Sequence, residues 1–455
     1  MDKKTITLVA FVAVIIVVML YALSGDDEIG SGSGEAHVDG LQIQSWTGKR
    51  GNRVYYVHAP ELPMVDIRVV FNAGSARDGD KPGLAAMTNL LLDHGAGEWN
   101  TDQIVERFDE VGAQFSTAAY RDMAVLKLRS LTEKDWLTSA LQTMQVILQK
   151  PRFEDSELQR ERQRVLVALK NQQESPSDIA EKAFYRGLYG QHPYAIPTLG
   201  TTKSISDLSL ADIVAFYNRY YVAKNAIVVI VGAVDKSQAK AIADQLMSDL
   251  PEGEPASDLP EVDAVEKAVT IREQHPSTQT TILVGQPGKN RSDPDYFTLY
   301  VGNHILGGSG FGSRVVTEIR EKRGLAYSSY TYFSPMQRKG PFVMGLQTKN
   351  EQAQQALEVL MSTLKTFIED GPTEEELISA KKNITGGFAL RLDSNNDITE
   401  YVAMIGFYDL PLDYLKTFNQ HIEEVTVDQI KDAFKRRVDP DSMVTVLVGD
   451  FSSED

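Results

Sequence analysis

IREKRGLAY, residues 319–327, follows LGGSGFGSRV at 306–315. Arg320 and Tyr327 lie seven positions apart, so a helical turn ending at Gly324 brings a guanidinium and a phenol to one place. In isolation, Arg320, Glu321, Lys322 and Arg323 read as a solvated charge run on an exposed helix. The glycines ahead of them, Gly307, Gly308, Gly310 and Gly312, suggest a phosphate loop, but the string lacks the GK[ST] ending and does not clearly follow a strand. A mobile glycine-rich loop is the better expectation.

Working outward, 455 residues exceed what one hydrophobic core usually holds, so two or more domains are expected. A formal charge of −17 argues against nucleic-acid binding, which needs clustered Lys and Arg. The absence of cysteine excludes disulfides, Cys-based zinc sites and thiol catalysis, and is compatible with an oxidising compartment.

At the N-terminus, Lys3 and Lys4 precede an apolar run from Ile6 to Leu23, and Gly25, Asp26, Asp27 and Glu28 follow it. A bilayer core needs roughly 17 to 25 such residues, and the charge flanks place the N-terminus in the cytoplasm and the body across the membrane. Residues 1–24 thus read as a single-pass anchor, which in a bacterium would leave the body periplasmic. A cleaved signal peptide is the competing reading, with Ala22 and Ser24 near a tolerable cleavage site. Residues 25–40, rich in Gly, Ser and acids, read as a flexible tether.

The body divides at PEGEPASDLPEVDAVEKA, 251–268, read as a linker between domains at 41–250 and 269–455. The halves look like one design used twice. VDIRVVF (65–71) corresponds to TTILVGQP (280–287), MAVLKLRSL (123–131) to GPFVMGLQT (340–348), and AIVVIVGAV (226–234) to MVTVLVGDF (443–451). The segments 153–169 and 372–390 correspond as long helical stretches. Pro82, Gly83 and the spacing of Leu84, Met87 and Leu91 mark a helix start with a buried stripe. Strands and helices are interspersed with hairpin-like as well as crossover spacings, so an α+β fold with mixed or antiparallel sheets is expected.

With LGGSGFGSRV before it and SSYTYF after it, IREKRGLAY resembles the second half of a zinc peptidase of the pitrilysin/insulinase family, and the resemblance covers essentially everything after the tether. It implies two homologous domains forming half a clam shell, with a peptide chamber completed by a second such pair. In such enzymes Arg320 and Tyr327 correspond to the pair reaching over zinc-bound substrate from the second domain. The glycine loop would then lie beside the chamber, and GAQFSTAAYRD (112–122) resembles the edge strand on which peptides pair. HPY at 192–194 is similar to a segment that shapes the first domain, and is read as structural.

The family's inverted zinc motif, H-x-x-E-H, belongs in the first half. Here the matching place, within GLAAMTNLLLDHGAG (83–97), has Ala86, Asn89 and Leu90 where the first histidine, the glutamate base and the second histidine would stand. The third zinc ligand falls on Ala168. Catalytic zinc needs three protein ligands and a carboxylate base for its water. Ala86, Leu90 and Ala168 have no donor atom, and Asn89 takes no proton.

No two of the seven histidines share a short ligand spacing, and His94 reads as a polar cap or surface residue. The expectation is a chain with no metal of its own, inactive alone, working with a homologous zinc-bearing subunit on peptides or small unfolded proteins; a catalytically inert scaffold subunit is the alternative. If residues 6–23 anchor the chain, alkaline carbonate should leave it in the membrane fraction and protease added to spheroplasts should digest the body. A mature N-terminus near Gly25 would show cleavage instead.

Overall fold

The computed structural model describes residues 41–452, so the anchor and tether assigned to 1–40 lie outside the described residues. Among the described residues, no helix is long and apolar enough to cross a membrane. The alternating and continuous apolar runs become, among the described residues, eleven strands in two mixed sheets, each surrounded by helices, which is the α+β class expected from the sequence.

The first sheet comprises β1 (Gln44–Thr47), β2 (Arg53–His58), β3 (Met64–Phe71), β4 (Gln114–Ala119), β5 (Ala124–Leu131) and β6 (Ala226–Gly232), in the order β1-β2-β6-β3-β5-β4. The second comprises β7 (Val269–Gln274), β8 (Gln279–Pro287), β9 (Ala326–Phe333), β10 (Pro341–Lys349) and β11 (Val444–Gly449), in the order β7-β11-β8-β10-β9. Apart from β1 the orders correspond strand for strand. Each sheet has one parallel pair, β2 with β6 and β7 with β11, and its other pairs are antiparallel. The strand that closes each half, β6 or β11, lies inside its sheet, which explains its unbroken apolar sequence. Val228 and Ile230 of β6 enter one core while Ile227, Val229 and Val231 enter another.

The second face of each sheet is covered by a helix from the other half of the chain. Pro176–Tyr189 packs on β8 and β11, and Asn395–Phe407 packs on β6 and β3. Each covering helix has a glycine where it approaches the sheet most closely. A Cβ on Gly187 would lie 2.8 Å from Val444 Cγ1, and one on Gly406 would lie 2.6 Å from Tyr55 Cε2. Arg53 pairs with Asp409, and Arg68 and Lys127 both pair with Glu400, fixing the Asn395–Phe407 helix to the first sheet.

Asp122, 3% exposed, sits where the two halves meet. Tyr194 Oη donates to its Oδ1 (2.6 Å), and the Gln337 N–H (2.8 Å) and Tyr408 Oη (3.1 Å) donate to its Oδ2. The Arg338 N–H in turn donates to Tyr194 Oη (3.0 Å). Burial pushes the Asp122 carboxyl above the usual carboxylate range, and its hydrogen bonds oppose that shift. Asp122→Ala would leave several buried donors unmatched and is expected to cost about 3 kcal/mol or more of stability, whereas Tyr408→Phe should cost about 1 kcal/mol. Denaturant unfolding measures both; equal, negligible losses would contradict the role given to Asp122.

Candidate functional site

The Leu84–Leu90 helix starts at Gly83, whose φ of 90° suits a residue without Cβ. Asp78 completes that start, Oδ2 accepting from the Gly83 N–H and Oδ1 from the Ala85 N–H, each at 2.7 Å. Burial pushes the Asp78 carboxyl up to about 7 against those bonds. Ala86 and Leu90 are half-buried, and Asn89 is buried with its Nδ2 donating to Tyr221 Oη at 3.3 Å. Ala168 is half-buried on the Asp155–Gln173 helix. These residues do not fit a zinc ion: three positions have no donor, and the one polar group is a buried amide that donates to a phenol.

His94, expected as a polar cap or surface residue, is half-buried, with its side chain 13% exposed. Among the described residues its Nδ1 has no hydrogen-bond partner, and it lies 3.9 Å from Oε1 of Glu161, a buried carboxylate that accepts from Arg164 Nη1 (2.8 Å) and Arg160 Nε (3.3 Å). Burial raises the neighbouring Asp93 carboxyl, with His94 opposing. Glu161 has no signal in the sequence beyond being one acid in a charged helix. Among the described residues, no group of three or more His, Asp or Glu side chains is placed to hold a metal ion.

In the second half, the Tyr296–Asn303 helix runs into a wide turn, His304–Gly308, closed by the Ser309 N–H donating to His304 O. Here the glycine string divides. A Cβ on Gly307 would meet Thr331 Oγ1 at 2.6 Å and one on Gly308 would meet Asn303 Nδ2 at 2.7 Å, so these two are packed against their surroundings rather than part of a free loop. Gly310 and Gly312 have φ of 67° and 89° with open space around them, and they present Phe311 between them. Arg314 then anchors the next helical turn through Glu376 (2.7 Å) and Gly371 O (2.9 Å).

A second wide turn, Thr317–Glu321, carries Arg320 and ends at Gly324, whose φ is 61° and whose N–H donates to Arg320 O at 2.9 Å. The chain enters β9 at Ala326, so Tyr327 lies beside Arg320. The Arg320 guanidinium lies 4.6 Å from the Tyr327 ring centroid and 4.5 Å from that of Phe311, between two aromatic rings. Among the described residues its side chain has no hydrogen bond or ion pair, so its donors are free for an external acceptor. Tyr327 is 83% exposed and Phe311 64%. Phe311 was missed in the sequence, although its place between two glycines is the signal that would have found it. The structure brings Arg320 and Tyr327 together; it gives neither a hydrogen bond, ion pair or ring contact to Ala86, Asn89, Leu90 or Ala168.

Residues 53–202 match the family profile of insulinase, peptidase family M16, and residues 207–384 match that of the peptidase M16 inactive domain. A crystal structure described as the peptidase M16 inactive domain from Pseudomonas fluorescens is 38% identical, with a TM-score of 0.88 over 90% of this chain and 98% of that one. The chain belongs to the M16 peptidase family. Among curated relatives, an uncharacterized zinc protease, YmxG of Bacillus subtilis, is 25% identical over 84% of this chain and 92% of its own. YmxG of Helicobacter pylori, named a non-peptidase homologue, is 25% identical over 90% of this chain and 95% of its own. This M16 chain resembles the inactive members of the family.

His304, at the first wide turn, has its pKa lowered from the ordinary 6.5 to about 4 by burial, with Arg391 adding to the effect. A histidine with a depressed folded pKa contributes stability that is fully present above its unfolded value and lost as pH falls through the folded one. Stability should therefore decline between about pH 6.5 and 4, and His304→Gln should flatten that decline. Urea midpoints across this range provide the test, and parallel profiles for the two proteins would exclude the effect.

Proposed function

We propose that this chain is the zinc-less subunit of a two-chain M16 metallopeptidase. A homologous partner bearing H-x-x-E-H supplies the metal and base, while this chain supplies half of a peptide chamber together with Arg320 and Tyr327. The observation that carries the proposal is the state of the Arg320 fork, held between two rings, without an acceptor of its own, beside an exposed phenol. Peptide hydrolysis develops negative charge on the scissile carbonyl oxygen, and preorganised donors aimed at that oxygen are among the largest catalytic contributions. Arg320 provides a permanently charged donor, and Tyr327 a neutral one. Neither acts in isolation, since the partner holds the substrate where its carbonyl reaches them.

Further support comes from the extent of the family match, which includes both halves of the chain. The substrates in this reading are peptides or small unfolded proteins. The assembly is tethered to a bacterial inner membrane through Ile6–Leu23, with the body in the periplasm, a placement supported by the charge flanks in the sequence. The competing reading is a structural or peptide-binding scaffold subunit, favoured by the name given to the Helicobacter relative.

Two measurements separate these readings. The chain purified alone should bind no stoichiometric zinc after dialysis and hydrolyse no peptide; one tightly held zinc with chelator-sensitive hydrolysis would contradict the proposal. In the complex with its zinc-bearing partner, Arg320→Ala and Tyr327→Phe should each lower turnover by about 10² to 10³, with co-purification and zinc content unchanged. Near-normal turnover in both variants would leave the chain as a scaffold.

A further inference from the structure

Phe311 is the member of the Arg320 cluster that the proposed chemistry leaves without a role. Its ring is 64% exposed, and among the described residues Arg320 is its only cation or ring contact. The exposure is built into the backbone. The Ser313 N–H (3.1 Å) and Oγ (2.8 Å) both donate to Gly310 O, closing a four-residue turn over 310–313. Phe311 takes the second place in that turn. Gly312 takes the third with a φ of 89°, close to the value a type II turn requires there. Ser313 is fully buried at the start of the next helical turn, and Arg314 beside it is tied to Glu376 at 2.7 Å. The ring thus stands out from a fixed base. It buries little area there, so hydrophobic packing does not account for its placement.

Arg320 supplies the account. Its guanidinium carbon lies 4.5 Å from the Phe311 ring centroid and 4.6 Å from that of Tyr327. The N–H groups of a guanidinium lie in its own plane, so rings laid against its faces leave every donor pointing outward. Glu318, two positions before Arg320, is engaged by Lys322 (2.6 Å) and Arg323 (2.5 Å) and does not draw the fork aside.

We propose that Phe311 is a positioning residue for Arg320: with Tyr327 it clamps the guanidinium and holds the fork in the plane from which it meets a substrate carbonyl oxygen. The inference rests on the function proposed above and adds how its charged donor is aimed. With Tyr327 alone, a long side chain would swing away from one ring face. A second ring removes that freedom before substrate arrives, and a donor fixed in advance contributes most to the transition state. Because the clamp uses ring faces, it consumes none of the N–H groups.

Two readouts test the clamp. In the complex with a zinc-bearing partner, Phe311→Ala should lower kcat about three- to tenfold with KM little changed, as expected when an interaction made in the transition state is weakened. Phe311→Tyr, which keeps the ring, should restore turnover. In an Arg320→Ala background, Phe311→Ala should cause no further loss, since Phe311 acts through the arginine. The second readout uses the full chain alone in mild detergent. Phenylglyoxal should modify Arg320 at least about threefold faster in Phe311→Ala than in the wild type or Phe311→Tyr, with Arg323 as the unchanged control, measured by peptide mass spectrometry. An unchanged kcat or unchanged labelling in Phe311→Ala, a loss that adds to that of Arg320→Ala, or a rise in KM alone would overturn the positioning role while leaving Arg320 its own. Normal turnover in Arg320→Ala would overturn the proposed function, and the positioning role with it.

Discussion

The buried carboxyl of Asp122 joins parts of the chain that are distant in sequence: the β4–β5 turn, the turn at Tyr194, the loop before β10 at Gln337, and Tyr408 after the Asn395–Phe407 helix. A buried acid tolerates desolvation only when donors surround it, and these donors come from both halves of the molecule. The relative placement of the two sheets is therefore tied to hydrogen bonds at one point, while the exchanged helices supply the apolar area around it. The Pro176–Tyr189 and Asn395–Phe407 helices make each sheet's second face dependent on the other half, so neither half has a complete core alone.

This mutual dependence extends to the packing of the Leu84–Leu90 helix. Leu84, Ala85 and Met87 fill the first core, and the buried Asn89 amide meets Tyr221. The second half positions its exposed side chains on a different physical basis. Two wide turns and left-handed glycines position Phe311, Arg320 and Tyr327 at the surface, where the guanidinium is held by ring faces rather than by a carboxylate. An ion pair would have occupied the donors. Stacking limits the motion of the side chain while leaving its N–H groups available.

Much of this organisation was legible in the residues. The repeated order of apolar runs gave two α+β halves because strand period and helix period differ, and the unbroken runs at 226–234 and 443–451 are what strands buried on both faces require. The juxtaposition of Arg320 and Tyr327 was legible too, since both lie within one local turn whose cap is Gly324. The reading of Gly307 and Gly308 as loop was less successful, because a glycine demanded by a close neighbour and a glycine demanded by positive φ look alike in a sequence.

By itself, the sequence determined local periodicity, the turn that pairs Arg320 with Tyr327, and the lack of a donor atom at residues 86, 90 and 168 and of a base at 89. These depend on residue type and short spacing alone. Tertiary structure decided which sheet each covering helix would occupy, why Gly187 and Gly406 must be small, and how Asp122 and Glu161 find their partners. It also decided that Arg68, Lys127 and Ser116 share one row beside a free edge. Such contacts join residues far apart in the chain, and their selection rests on packing volume and on the cost of leaving buried polar groups unmatched, neither of which a linear pattern encodes.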